Sequence, residues 1–180
     1  MTTSQIRLLI ASAILLTAGH AFRLTDLIGF ESAASNINVK TVQLADEAAS
    51  AQADLSIVGE ITRLTNLERS RAGLPALSLD PRLSQAAQQQ AWSMASSGQF
   101  KQVIDGQGPA ERVSAAGYRW STVGENIAVD SASPANVLAG WMRTEGHKAN
   151  LLGISYTEMG VGFAIAADGR PYWVQIFARS

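Results

Sequence analysis

Cysteine is absent from this chain of 180 residues. That removes disulfides, thiolate zinc sites, iron–sulfur clusters and a cysteine nucleophile. Histidine is nearly as scarce: His20 lies close to the N-terminus, and His147 is the only other. A zinc site normally takes several His, Cys or carboxylate ligands, so one imidazole with scattered carboxylates is a poor template. Neither a zinc helix motif nor a run of regularly spaced oxygen ligands for calcium is present. No metal and no cofactor are therefore expected. An excess of one charge is missing too, since 14 basic and 15 acidic residues are interspersed and leave a net charge of −1. A phosphate-binding face needs clustered Lys and Arg, so no nucleic-acid partner is expected. There is no Gly-x-Ser-x-Gly elbow, and spacing singles out no serine as a nucleophile.

What the chain does have is apolar content, 47% of its residues, enough for one core in one domain. Residues 1–21, MTTSQIRLLIASAILLTAGHA, place one positive residue, Arg7, ahead of an apolar run from Leu8 to Ala18. The small residues Gly19 and Ala21 follow, which is the layout of a secretory signal. A retained membrane anchor is the rival, although the run meets His20, Arg23 and Asp26 before reaching the roughly 20 apolar residues of a span. Either reading puts the bulk of the chain outside the cytoplasm, periplasmic or secreted, with membrane attachment through the N-terminus if the segment is kept. Residues 22–54 are Ala/Ser/Asp-rich and weakly periodic, which reads as a linker with a helical turn around Val42–Ala49. The compact domain is expected over 55–180.

Within it, Ile57, Ile61, Leu64 and Leu67 recur at helical steps, and the helix closes at Gly73. Arg69 and Arg71 in its last turn suit the negative end of the dipole. Asp80–Pro81 opens a second helix ending at Gly98, and Pro109–Ala116 fits a short third. Ser133–Pro134 opens a fourth, presenting Val137, Leu138, Trp141 and Met142 on one side. The C-terminal stretch changes to strand-like alternation about Ala167–Asp168–Gly169, a hairpin signal, and its aromatics Phe163, Tyr172, Trp173 and Phe177 read as core. Helices first and a hairpin last predict an α+β domain.

Two residues invite chemistry. Glu125 sits in the turn GENIA, and His147 follows 22 positions later behind the helix bearing Trp141. A carboxylate beside an imidazole is a common acid–base or orienting pair, but it needs a nucleophile, a metal or a proton acceptor to act on. The plainer alternative is a hydrogen bond that ties a loop to a helix end.

Several blocks, taken in order, resemble the CAP superfamily of cysteine-rich secretory, antigen 5 and plant pathogenesis-related proteins, and most closely its bacterial, cysteine-free branch. They are LTNLERSRAGLPALSLDPRLSQAAQQQAWSMASSG, AAGYRWSTVGENIA, VLAGWMRTEGHKANLL, YTEMGVGFA and YWVQIFA, spanning about Leu55 to Ala178. The resemblance implies a three-layer α-β-α sandwich with a central antiparallel sheet. It also implies a cleft lined by two histidines and two glutamates, which holds a divalent metal in some members. Glu125 and His147 occupy two of these positions. At the other two stand Gln102, in GQFKQ, and Thr144, three residues after Trp141, with Glu145 beside it. Asn126 of the Gly-Glu-Asn turn completes the expected ligand-binding cleft of Glu125, His147, Gln102, Asn126 and Thr144. Glutamine is a weak metal ligand and does not shuttle protons near neutral pH, so the implied metal half is missing.

The expected function is accordingly a non-catalytic, exported CAP module that binds a small apolar ligand, an envelope component or a protein partner. With a retained anchor it would serve as an accessory subunit of a membrane assembly. The alternative is a hydrolase with His147 as base and Glu125 orienting it. A serine or threonine oxygen within reach of His147 would favour that alternative.

Overall fold

In the computed structural model of the chain, the described residues are 24–131 and 133–180. The expected signal or anchor, 1–21, lies outside them. By its contacts the chain divides into Met1–Ala49 and Ser50–Ser180.

Helix α1 runs over Leu24–Arg71 and so passes through the stretch that reads as a linker. Each described side chain from Val39 to Ala49 is exposed. Hydrophobic periodicity reports burial, and a helix with no buried face does not show it; the Ala, Gln, Glu, Lys and Leu content that favours helix here acts through propensity alone. Among the described residues, no helix is long and apolar enough to cross a membrane.

In Ser50–Ser180 the order continues with β1 (Ser78–Leu79), α2 (Pro81–Ser97), α3 (Pro109–Ala115), β2 (Thr122–Val129), α4 (Pro134–Arg143), α5 (Glu145–Leu151), β3 (Glu158–Ile165) and β4 (Pro171–Arg179). The expected caps form: Asp80 accepts from the amides of Arg82 and Leu83, and Ser133 accepts from that of Asn136. The strands lie in the order β1-β3-β4-β2. β2, β4 and β3 pair antiparallel, whereas the two-residue β1 joins β3 in parallel, so the sheet is mixed at one edge.

Alternation along each strand divides the core between two faces. On one face Tyr172, Val174 and Ile176 of β4 meet Leu83, Ala87, Ala91 and Met94 of α2 and Val113 of α3. On the other, Trp173 and Phe177 of β4 with Met159, Val161 and Phe163 of β3 meet Ile61 of α1, Val137, Leu138 and Trp141 of α4, and Leu151 of α5. These are the three layers of an α-β-α sandwich. α2 lies so close to β3 that a Cβ on Gly160 would strike the backbone of Leu83 and Ser84, and one on Gly162 that of Ala87 and Gln88.

One polar residue departs from its expected role. Arg69 is 1% exposed, and its guanidinium donates to the carbonyls of Pro75 (2.8 Å), Leu151 (3.0 Å) and Gly153 (2.9 Å). It ties the end of α1 to the C-terminus of α5, satisfying carbonyls that a helix end leaves unpaired.

Candidate functional site

Consecutive residues of a strand face opposite ways, and the Gly-Glu-Asn turn lies inside β2. Glu125 therefore faces α2 and α3, while Asn126 faces α4 and α5.

On the Glu125 side, Oε2 pairs with the Arg112 guanidinium at 2.5 Å, with side-chain exposures of 0% and 2%. Glu125 Oε1 and Arg112 Nε are buried and make no hydrogen bond to a described residue. Burial pushes the Glu125 carboxyl above its ordinary value, against the opposing pull of Arg112. Arg112 also donates to the carbonyls of Gln102 (3.1 Å) and Gln107 (2.7 Å), and so anchors the loop between α2 and α3 at its middle and near its end. Gln102 Nε2 donates to the Glu125 carbonyl at 3.1 Å.

On the other side, Asn126 is fully buried. Its Nδ2 donates to the His147 carbonyl (3.0 Å), and its Oδ1 accepts from Asn150 Nδ2 (2.9 Å). Asn150 also reaches the Glu125 carbonyl at 3.2 Å. The turn thus holds the α2–α3 loop with one side chain and α5 with the next.

Thr144 ends α4 and precedes the first residue of α5 in an extended conformation, φ −101° and ψ 121°. The helix bearing Trp141 does not continue through Glu145; it breaks, and the new helix carries His147. Thr144 and the half-buried His147 line a groove of about 350 Å³ together with Phe100, Ile127, Val129 and Trp141. Burial lowers the His147 ring below its ordinary value. The Thr144 hydroxyl reaches back to the Gly140 carbonyl at 3.4 Å. Among the described residues, no side-chain oxygen is hydrogen-bonded to the His147 ring.

Of the five cleft residues read from the sequence, Thr144 and His147 share the groove. Asn126 reaches it through the His147 carbonyl, and Gln102 holds the Glu125 carbonyl. The Glu125 carboxylate is spent on Arg112. A divalent ion does not fit this set: its one acidic side chain at the two inherited positions is already neutralised, and Gln102 and Thr144 are weak donors. Among the described residues, no group of three His, Cys, Asp or Glu is placed to hold a metal. Sequence reasoning missed Arg112. A charged residue on a short helix reads as surface, and Arg112 falls outside the family blocks, the nearest of which begins at Ala115.

Comparison with known proteins agrees with this architecture. Residues 62–177 match the family described as CAP: Cysteine-rich secretory protein family. The protein YkwD of Bacillus subtilis is 33% identical over 119 residues, covering 66% of this chain and 45% of that protein. The B. subtilis membrane protein YlbC is 30% identical over 121 residues, covering 67% of this chain and 34% of that protein. An extracellular SCP-domain protein of Bacillus anthracis superposes with a TM-score of 0.65 at 29% identity, covering 71% of this chain and 41% of that one. The chain belongs to the CAP family, and its lack of cysteine fits the cysteine-free branch. It spans less than half the length of these relatives.

Proposed function

We propose that the chain is an exported, non-catalytic CAP module whose groove beside His147 binds a small amphiphile. The carrying observation is the division of the Gly-Glu-Asn turn across β2. Glu125 is committed to Arg112, and among the described residues neither a carboxylate nor a hydroxyl oxygen is hydrogen-bonded to the His147 ring. A hydrolase that uses His147 as general base for a serine or threonine nucleophile needs both. What remains is a groove at the β2 edge that joins the apolar Phe100, Ile127, Val129 and Val137 with the polar Asn136, Arg143 and Thr144. Apolar walls with few polar groups are the usual composition of a small-molecule site, and Arg143 suits an anionic head group. An extracytoplasmic location draws support from the extracellular relative and from the one named a membrane protein. Retention of residues 1–21 as an anchor would place the groove at a membrane, where such ligands are found.

The test is mild purification of the full chain from its host, followed by mass spectrometry of extracted small molecules. Recovery of a lipid or fatty acid in near-stoichiometric amount supports the proposal. A chain that carries none, and that instead turns over ester or peptide substrates in a His147-dependent way, overturns it.

A further inference from the structure

A second concave surface lies on the far side of the domain core, between α2 and the β3–β4 hairpin. From Leu83 to Phe100 the chain carries no charged residue, although α2 presents one side to solvent. Solvent-facing helix sides normally carry charge. Here the outward row is Gln85, Gln89, Trp92 and Ser96, spaced so that they share one side. Trp92 is 63% exposed, and so is Ile165 opposite it at the end of β3. Gln89, Trp92, Ser93 and Ser96 form one wall of a groove of about 530 Å³, and Ile165 to Ala167 form the other.

Two polar side chains along this groove, Gln89 and Ser93, are not committed to the protein. Gln88 and Gln90, which turn inward, are committed: Gln88 donates to the Phe163 carbonyl (2.7 Å) and Gln90 to that of Lys101 (2.7 Å). The Gln89 amide and the Ser93 hydroxyl hydrogen-bond no described residue. Ser96 bonds only the Ser93 carbonyl at 3.3 Å. An exposed indole thus stands among free amide and hydroxyl groups with no charge in the lining.

We propose that this groove binds an uncharged saccharide chain, with the C–H face of one ring stacked on Trp92 and its hydroxyls bonded to Gln89 and Ser93. The chemistry selects this occupant by exclusion as well as by fit. A nucleic acid or acidic polysaccharide needs cations in the lining, and Arg170 of the neighbouring turn is already held by Asp168 at 2.8 Å. A purely hydrocarbon ligand would bury the Gln89 amide without a partner, at a cost in affinity. A neutral saccharide brings hydroxyls for Gln89 and Ser93 and C–H faces for Trp92 and Ile165. The site is independent of the groove beside His147 and stands or falls separately.

The test follows the indole N–H resonances of the four tryptophans in the full chain, titrated with cellotetraose and with the β-1,4 tetramer of N-acetylglucosamine. Saturable movement of the Trp92 resonance, with those of Trp120, Trp141 and Trp173 unmoved, is expected with at least one of them. Trp92→Ala and Gln89→Ala should weaken binding about tenfold or more, whereas Trp120→Ala should leave it unchanged. Both changes are at exposed positions and leave the core intact. No movement with either sugar overturns the proposal, as does equal affinity in Trp92→Ala or tighter binding of an acidic oligosaccharide. A Trp92 resonance that moves with protein concentration alone also overturns it, because the surface is then covered by a second copy.

Discussion

Glu125 and Asn126 are adjacent in β2, yet they act on opposite faces of the sheet: Glu125 holds Arg112 at 2.5 Å, and Asn126 holds the His147 carbonyl at 3.0 Å. The motif is therefore a two-sided fastener for the loop that carries Phe100 and the helix that carries His147. These are two walls of one groove, so the geometry of the groove depends on side chains that do not line it.

Breaking the Arg112–Glu125 pair from either side should be severe. Both side chains are out of water, so Arg112→Met leaves a buried carboxylate and Glu125→Gln a buried guanidinium. Each is expected to cost about 3–5 kcal/mol. The double variant should cost less than the two losses added, because neither charge is then left alone. Urea unfolding of the four proteins checks this. Strict additivity would mean that the two residues act separately.

The single histidine of the domain sets a pH dependence whose sign can be fixed. Burial lowers the native His147 below its ordinary 6.5, so between those values the unfolded chain binds more protons and stability rises with pH. The contribution is complete above 6.5 and is lost as pH falls through the native value. Glu125, raised by burial, acts in the opposite sense: its contribution is present at low pH and is lost as pH rises through its native value. His147→Gln should therefore lessen the fall in urea midpoint from about pH 7.5 to about pH 5.5. An unchanged fall would show that the ring titrates alike in both states.

Trp141 joins core and groove. It is 2% exposed, and its Nε1 donates to the Ile127 carbonyl of β2 at 3.1 Å. Trp141→Ala should cost about 3–5 kcal/mol. Trp141→Phe keeps most of the ring volume but strands that carbonyl, for about 1–3 kcal/mol. Chemical denaturation of both variants tests the order, and equal losses would mean that the hydrogen bond, not the volume, is what matters.

Metal should have no hold on the fold. With the Glu125 carboxylate bound by Arg112, the cleft offers zinc one imidazole and weak amide or hydroxyl donors, and a ligand that barely binds the native state cannot stabilise it. The melting temperature should be the same in chelator and in micromolar zinc. A zinc-dependent rise would reveal a ligand set other than the one described.

Much of the fold is legible in the sequence where local chemistry decides it. Asp80–Pro81, Ser133–Pro134 and Asp168–Gly169 mark two helix starts and a hairpin turn, and all three form. Trp141, Trp173 and Phe177 read as core and are buried. What fails to show is whatever depends on partners distant in sequence. Arg69 looks like a dipole complement until Leu151 and Gly153 arrive beside it. Arg112 looks solvated until β2 covers it. The helix through Val39–Ala49 has no buried described side chain to give it a period. For the candidate site, the order of blocks singles out the residues, but only the register of β2 reveals that Glu125 and Asn126 face apart.

The most direct test of the proposed groove is to fill it. Gly140 lines the groove, and a Cβ there meets nothing within 4 Å, so Gly140→Leu adds a side chain to the groove without striking the core. Replacing a helical glycine also raises helix propensity by up to about 1 kcal/mol, so the variant should melt no lower than the parent. Thermal melts of both proteins should then be compared across a titration of decanoate. The parent should gain stability with ligand concentration, and Gly140→Leu should not. Equal shifts in the two proteins, or none in the parent, would contradict the assignment of this groove as the binding site.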